Sequence, residues 1–82
     1  MTNEEIVREI QQNINVKDNM GELYQQNLPL IKKLVRPYSK YMEEEDLLQE
    51  AFFGLEKAVY SYNEEKEVPF MSYAFFILRQ FV

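Results

Sequence analysis

A chain of 82 residues forms one small domain, which on folding hides only about 60% of the surface its unfolded form exposes. With 46% hydrophobic residues, six Phe and six Tyr, it reads as an ordered globular domain, and the lack of Cys and His excludes a disulfide framework, a thiolate nucleophile, an imidazole base and the usual zinc ligand sets. The formal net charge of -5 counts against a generic nucleic-acid binder, so any DNA contact must be local or assisted by another protein.

No apolar run approaches the roughly 18 residues that span a bilayer, and Glu4 and Glu5 stand where a signal peptide has its basic flank. A cytoplasmic protein with no membrane partner is the expectation. Thr2 and Glu5 have the spacing of a capping box, and Ile6, Val7, Ile10 and Ile14 then recur at helical spacing, which predicts a first helix from about Asn3 to Gln12. Asn13 to Val16 reads as a turn. Asn19 and Glu22 offer a second capping pair, opening a helix that carries Leu23 and Tyr24. Pro29 lacks the donor for an intrahelical bond and crowds the turn before it, so that helix must kink or restart there.

Ile31, Leu34, Val35 and Tyr38 follow at i, i+3, i+4 and i+7 as a core-facing stripe. Lys32, Lys33, Arg36 and Lys40 hold the only dense positive charge, which is either a solvated helix face or a patch that meets phosphates. Pro37 disturbs the end of this segment. Glu43 to Asp46 place four carboxylates at the start of the next helix, where they suit its positive dipole end by about 0.3–1 kcal/mol each at low salt. That polarity explains the run better than a divalent-metal site does, since no second ligand set or phosphate loop accompanies it.

From Asp46 to Tyr62 the residues Leu47, Leu48, Ala51, Leu55, Ala58, Val59 and Tyr62 form a broad apolar stripe. The other side carries Asp46, Gln49, Phe53, Glu56, Lys57 and Tyr60, so two rings lie among charges where a partner can sit. Asn63 to Glu67 is a polar loop, and Pro69 suits the first turn of a last helix over residues 70–82. Phe70, Ala74, Ile77, Leu78 and Phe81 give that helix one apolar face; Tyr73, Phe76 and Gln80 form a second, which packing alone does not require. With no stop signal after Arg79, Gln80, Phe81 and Val82, the natural chain is expected to continue. The elements add up to an all-α bundle of about four helices.

The order Asp46-Leu-Leu-Gln-Glu50, then Gly54-Leu55 and Lys57-Ala-Val59, resembles region two of bacterial RNA polymerase sigma factors. The resemblance continues through Phe70-Met-Ser-Tyr-Ala74 and Ile77-Leu-Arg-Gln80, and runs back through Asn27-Leu28 and Leu34 to Tyr38, covering roughly residues 24 to 82. It implies a domain of residues 17–82 preceded by an N-terminal helix and turn at 1–16, with a kink rather than a restart at Pro29.

For function, the resemblance implies a non-enzymatic domain without cofactor or metal. Such a domain binds core RNA polymerase, recognises the promoter minus-ten element and helps to open it. The helix matching 46 to 62 would dock on the clamp coiled coil, through positions held here by Asp46, Gln49, Glu50, Phe52 and Glu56, with Phe53 beside them. The last helix would capture flipped bases of the non-template strand. Phe70 and Tyr73 keep the family's aromatic types, Ser72 stands at a small hydroxyl position, and Arg79 and Gln80 match an Arg-Gln pair, with Phe76 as a further ring.

The departures from the family's pattern are specific. Two adjacent Trp of the primary factors are Phe76 and Ile77 here, Val68 replaces an aromatic residue, and Phe52 and Glu56 replace a polar and an apolar residue. Fewer rings imply weaker melting and a stricter or activator-dependent promoter choice. An anti-sigma factor is a further candidate partner, and a helical adaptor that binds polymerase or another protein without reading DNA is the alternative reading.

Overall fold

The computed structural model describes residues 1–81, and Val82, expected at the end of the last helix, lies outside the described residues. Four α-helices follow in order: α1 (Asn3–Gln11), α2 (Val16–Val35), α3 (Glu44–Ser61) and α4 (Phe70–Leu78), with short 3-10 turns at Arg36–Tyr38 and Glu64–Lys66. The all-α expectation holds.

The capping box of α1 forms as expected. Glu5 donates its N–H to the Thr2 hydroxyl at 3.1 Å while the Thr2 N–H donates to the Glu5 carboxylate at 2.8 Å. That backbone bond holds the Glu5 carboxyl below its ordinary value. Ile6, Val7 and Ile10 are buried, but Ile14 falls beyond the helix and stays exposed.

The second helix starts earlier than its expected capping pair. Asn13 and Asn15 take left-handed backbone angles (φ 63° and 42°), which Asn tolerates better than most residues, and α2 begins directly at Val16. Asn19 is therefore one turn inside the helix. It is buried, and its side-chain amide donates to the Ile14 carbonyl at 2.9 Å and the Glu9 carboxylate at 3.3 Å, bracing the turn instead of capping with Glu22. α2 then runs unbroken through Pro29. Proline deprives the Gln25 carbonyl of its partner, and both residues are exposed, so water can serve it. Pro37 ends the helix regularity as a 3-10 turn.

α3 is the central element. Leu47, Ala51, Leu55, Ala58 and Val59 are each no more than 1% exposed and pack among the buried side chains of the other helices, including Leu23, Ile31 and Val35 of α2 and Phe70, Ala74 and Leu78 of α4. Between α3 and α4 the approach is close at Gly54. A Cβ built there would stand 2.8 Å from Leu78 Cδ2 and 3.2 Å from the Phe81 ring, so hydrogen is the substituent that fits without displacement.

The last helix is shorter than expected, ending at Leu78 rather than continuing over 70–82. The N–H groups of Gln80 and Phe81 turn back to the carbonyls of Ile77 (3.0 Å) and Leu78 (2.9 Å), a 3-10 tightening common at helix ends. This winding lays the Phe81 ring over Gly54 and under the Lys57 ammonium, 5.9 Å from the ring centroid. Among the described residues no helix is long and apolar enough to cross a membrane.

Candidate functional site

Two surfaces survive once the core is accounted for, one on each helix of the α3–α4 pair. On α3 the apolar stripe turns inward, which leaves Asp46, Gln49, Phe53 and Glu56 exposed and Glu50 and Phe52 half-buried. Phe53 keeps 47% of its surface open. Its ring stands edge-on to Phe52 at 6.3 Å, and Phe52 meets Tyr24 of α2 edge-on at 5.4 Å, so the three rings brace one another. With Leu48 they floor a shallow groove of about 480 Å³ that Glu45 and Gln49 border. An apolar floor with one carboxylate and one amide at its rim suits a partner that brings aliphatic groups and a cation or other hydrogen-bond donor.

Tyr24, Leu48 and Glu45 are absent from the sequence-derived site. Tyr24 lies on another helix, and only the packing of α2 on α3 brings it to Phe52. The four carboxylates at the head of α3 behave as expected of helix-start residues: Glu44, Glu45 and Asp46 occupy the first turn, all exposed. Among the described residues no group of three or more His, Cys, Asp or Glu gathers to hold a metal ion.

On α4 the expected strand-facing residues separate by depth. Ser72, Phe76, Arg79 and Gln80 are exposed, with Phe76 at 62% the most open ring of the helix. Ser72, Phe76 and Arg79, spaced i, i+4 and i+7, share one face, while Gln80 follows in the closing turn. Tyr73 is half-buried; its hydroxyl pairs with the Ser61 hydroxyl at 2.7 Å and its ring tilts against Tyr62. Phe70 is different. It is fully buried, edge-on to Tyr62 at 5.2 Å, and presents no ring to the surface, because the apolar face of α4 that turns to α3 includes it.

Beside Tyr73 the chain leaves a cleft of about 280 Å³, lined by Ser61, Tyr62, Asn63, Lys66, Val68 and Tyr73. Burial and the nearby carboxylates of Glu4 and Glu64 push the Tyr62 hydroxyl above its ordinary value, so it stays protonated and donates to the Val68 carbonyl. On the far side of α4, Lys33 and Arg79 share a groove floored by Leu30, Leu34 and Phe75. Lys33 of the basic stripe of α2 thus comes beside the helix that carries the exposed Phe76 ring.

Residues 23–82 match the family model described as Sigma-70 region 2. The chain belongs to this family. Over 78 residues it is 36% identical to RNA polymerase sigma factor SigA2 of Synechococcus elongatus, an alignment that covers 94% of this chain and 23% of that protein. The chain therefore spans about a quarter of the length of this curated relative. No solved structure gives a significant match. The matched region 2 segment begins one residue before Tyr24, so the groove on α3 and the whole of α4 fall within it, while α1 does not.

Proposed function

We propose that this chain is the second domain of a sigma factor, with residues 17–82 as the sigma-type unit and 1–16 as its N-terminal helix and turn. It binds core RNA polymerase through α3 and holds the melted non-template strand of the minus-ten element against α4. The observation that carries the reading is the division of the two outward surfaces: a ring-floored groove bordered by Glu45 and Gln49 on α3, and on α4 the exposed Phe76 ring on the same face as Arg79. The first suits a basic coiled coil such as that of the polymerase clamp. The second suits single-stranded DNA, where a base stacked on an aromatic ring gains about 1–3 kcal/mol, comparable with the cost of unstacking it.

In this reading Asp46, Gln49, Glu50, Phe52, Phe53 and Glu56 serve polymerase binding, and Ser72, Tyr73, Phe76, Arg79 and Gln80 serve the strand. Phe70 supports the strand face from beneath. The chain carries out no chemical step, requires no cofactor, and acts where the polymerase is, in the cytoplasm. The acidic balance of the domain follows from its order of partners: protein first, DNA after docking.

The reading is tested by capture of the isolated clamp coiled coil. The natural chain is expected to bind, and the Asp46→Ala, Gln49→Ala pair to bind roughly 10- to 150-fold more weakly, as loss of about 1.5–3 kcal/mol in charge-assisted hydrogen bonds implies. No binding by the folded natural chain removes the assignment. Binding to the clamp without any capture of single-stranded promoter DNA leaves the adaptor reading instead.

Promoter opening is expected to be weaker than that of a housekeeping factor, because Ile77 cannot stack where the primary factors carry a second Trp. A fluorescent base analogue in the minus-ten element reports this directly. Opening at the housekeeping level without an activator contradicts it.

A further inference from the structure

Along one side of α1, outside the matched family segment, Glu4, Arg8 and Gln11 recur at i, i+4 and i+7 and all reach the same stretch of chain. A Glu4 carboxylate oxygen accepts the N–H of Phe70 at 2.7 Å, satisfying an orphan donor at the first residue of α4. Arg8 grips Glu64 with two bonds, Nε to one carboxylate oxygen at 3.1 Å and Nη2 to the other at 2.6 Å. Gln11 donates through one side-chain amide nitrogen to the carbonyls of Val59 (2.8 Å) and Tyr62 (2.9 Å), which the end of α3 leaves without helical partners. One face of one helix thus holds the end of α3, the connecting loop and the start of α4.

The loop needs such a hold. Glu67 takes a left-handed backbone angle (φ 57°), a conformation that persists in a non-Gly residue only where the surroundings enforce it. The other bonds that hold the loop are few: Glu65 N–H to the Asn63 side chain at 3.0 Å, Lys66 N–H to the Asn63 carbonyl at 3.2 Å, Glu67 N–H to the Glu64 carbonyl at 3.1 Å, and the Tyr62 hydroxyl to the Val68 carbonyl. Asn63, Lys66 and Val68, which line the cleft beside Tyr73, all sit on it.

The polar row is not what docks α1, because Ile6, Val7 and Ile10 are already buried. The Arg8 and Glu64 side chains are 51% and 45% exposed, and ion pairs that open to water add little to overall stability.

We propose that Glu4, Arg8 and Gln11 are positioning residues that shape the α3–α4 loop, so that α1 sets how well the cleft beside Tyr73 holds a nucleic-acid base. The cleft's occupant rests on the function proposed above; the control of the loop does not. The experiment uses the 82-residue chain with Arg8 and Gln11 both changed to Ala, and a charge exchange combining Arg8→Glu with Glu64→Arg. Amide exchange at Lys66, Glu67 and Phe70 is measured against Ala51 and Leu55 at the centre of α3. In complex with core polymerase, affinity for a fluorescent single-stranded minus-ten oligonucleotide is measured alongside.

The double Ala variant is expected to exchange about tenfold faster in the loop, with the centre of α3 unchanged. Strand affinity falls about fivefold while polymerase affinity holds, since Gln49 lies twelve residues, about 18 Å, along α3 from Ser61. The charge exchange, which keeps Gln11 and re-forms the ion pair in reverse, is expected to stay close to the natural chain in both readouts; a merely stabilising role for the side chains instead predicts that exchange at the centre of α3 speeds up together with the loop. Unchanged loop exchange in the double Ala variant overturns the proposal, as does faster exchange with full strand affinity. A natural chain that docks on polymerase but ignores the strand defeats the function reading and the cleft's role together, and loop exchange then decides alone whether α1 positions the loop.

Discussion

Phe70→Ala is expected to destabilise the domain by about 3–5 kcal/mol, the usual cost of emptying a fully buried phenyl site. The ring is 0% exposed and stands edge-on to Tyr62, so its loss removes both apolar contact and an aromatic pair worth about 0.5–1.5 kcal/mol, part of the same total. Small domains hold about 5 kcal/mol in all, toward the low end of the ordinary range. The variant should therefore be largely unfolded near 37 °C, and urea titration followed by circular dichroism would show the midpoint collapse. Its strand affinity should fall only with the folded fraction. A stable Phe70→Ala protein that had lost strand binding would mean that this ring works at the surface after all.

Phe76→Ala should do the reverse. With 62% of its surface open the ring contributes little to the core, and its removal is expected to change stability by no more than about 0.5 kcal/mol. Strand affinity in the polymerase complex, however, should drop by about 1–3 kcal/mol, roughly 5- to 150-fold, if a base stacks on the ring. Phe76→Tyr keeps the plate and should keep most of the affinity. Fluorescence anisotropy with a single-stranded minus-ten oligonucleotide measures both variants, and equal affinity for Phe76→Ala and the natural chain would sink the stacking role. Six residues apart on one helix, Phe70 and Phe76 are thus expected to divide fold from function.

The difference between these two rings shows what was legible in the residues and what was not. Helical spacing alone places Phe70 on the apolar face of α4, and the structure agrees; the resemblance to a family motif also nominated it for DNA contact, because a motif records residue type without depth. The capping box at Thr2 and the apolar stripe of α3 were readable because both depend on residues a few positions apart. The start of α2 was not, since Asn19 has the right type for a cap but left-handed angles at Asn13 and Asn15 had already turned the chain. Nor was the hold of α1 on the loop. Its partners are 56 and 66 residues apart for Arg8 with Glu64 and Glu4 with Phe70, and nothing in local spacing links them. For the same reason Tyr24 escaped the groove on α3.

Gly54 carries a consequence for how the two surfaces communicate. At this point α3 and α4 meet with a single hydrogen between them, the Leu78 methyl and the Phe81 ring pressing directly on the backbone. Only the Leu78 and Phe81 side chains separate the two elements there, and α3 contributes nothing beyond its backbone. A partner that seizes the outer side of α3 therefore stands one helix backbone away from the groups that anchor the end of α4, and those two side chains set the spacing of the two outward surfaces at its narrowest point.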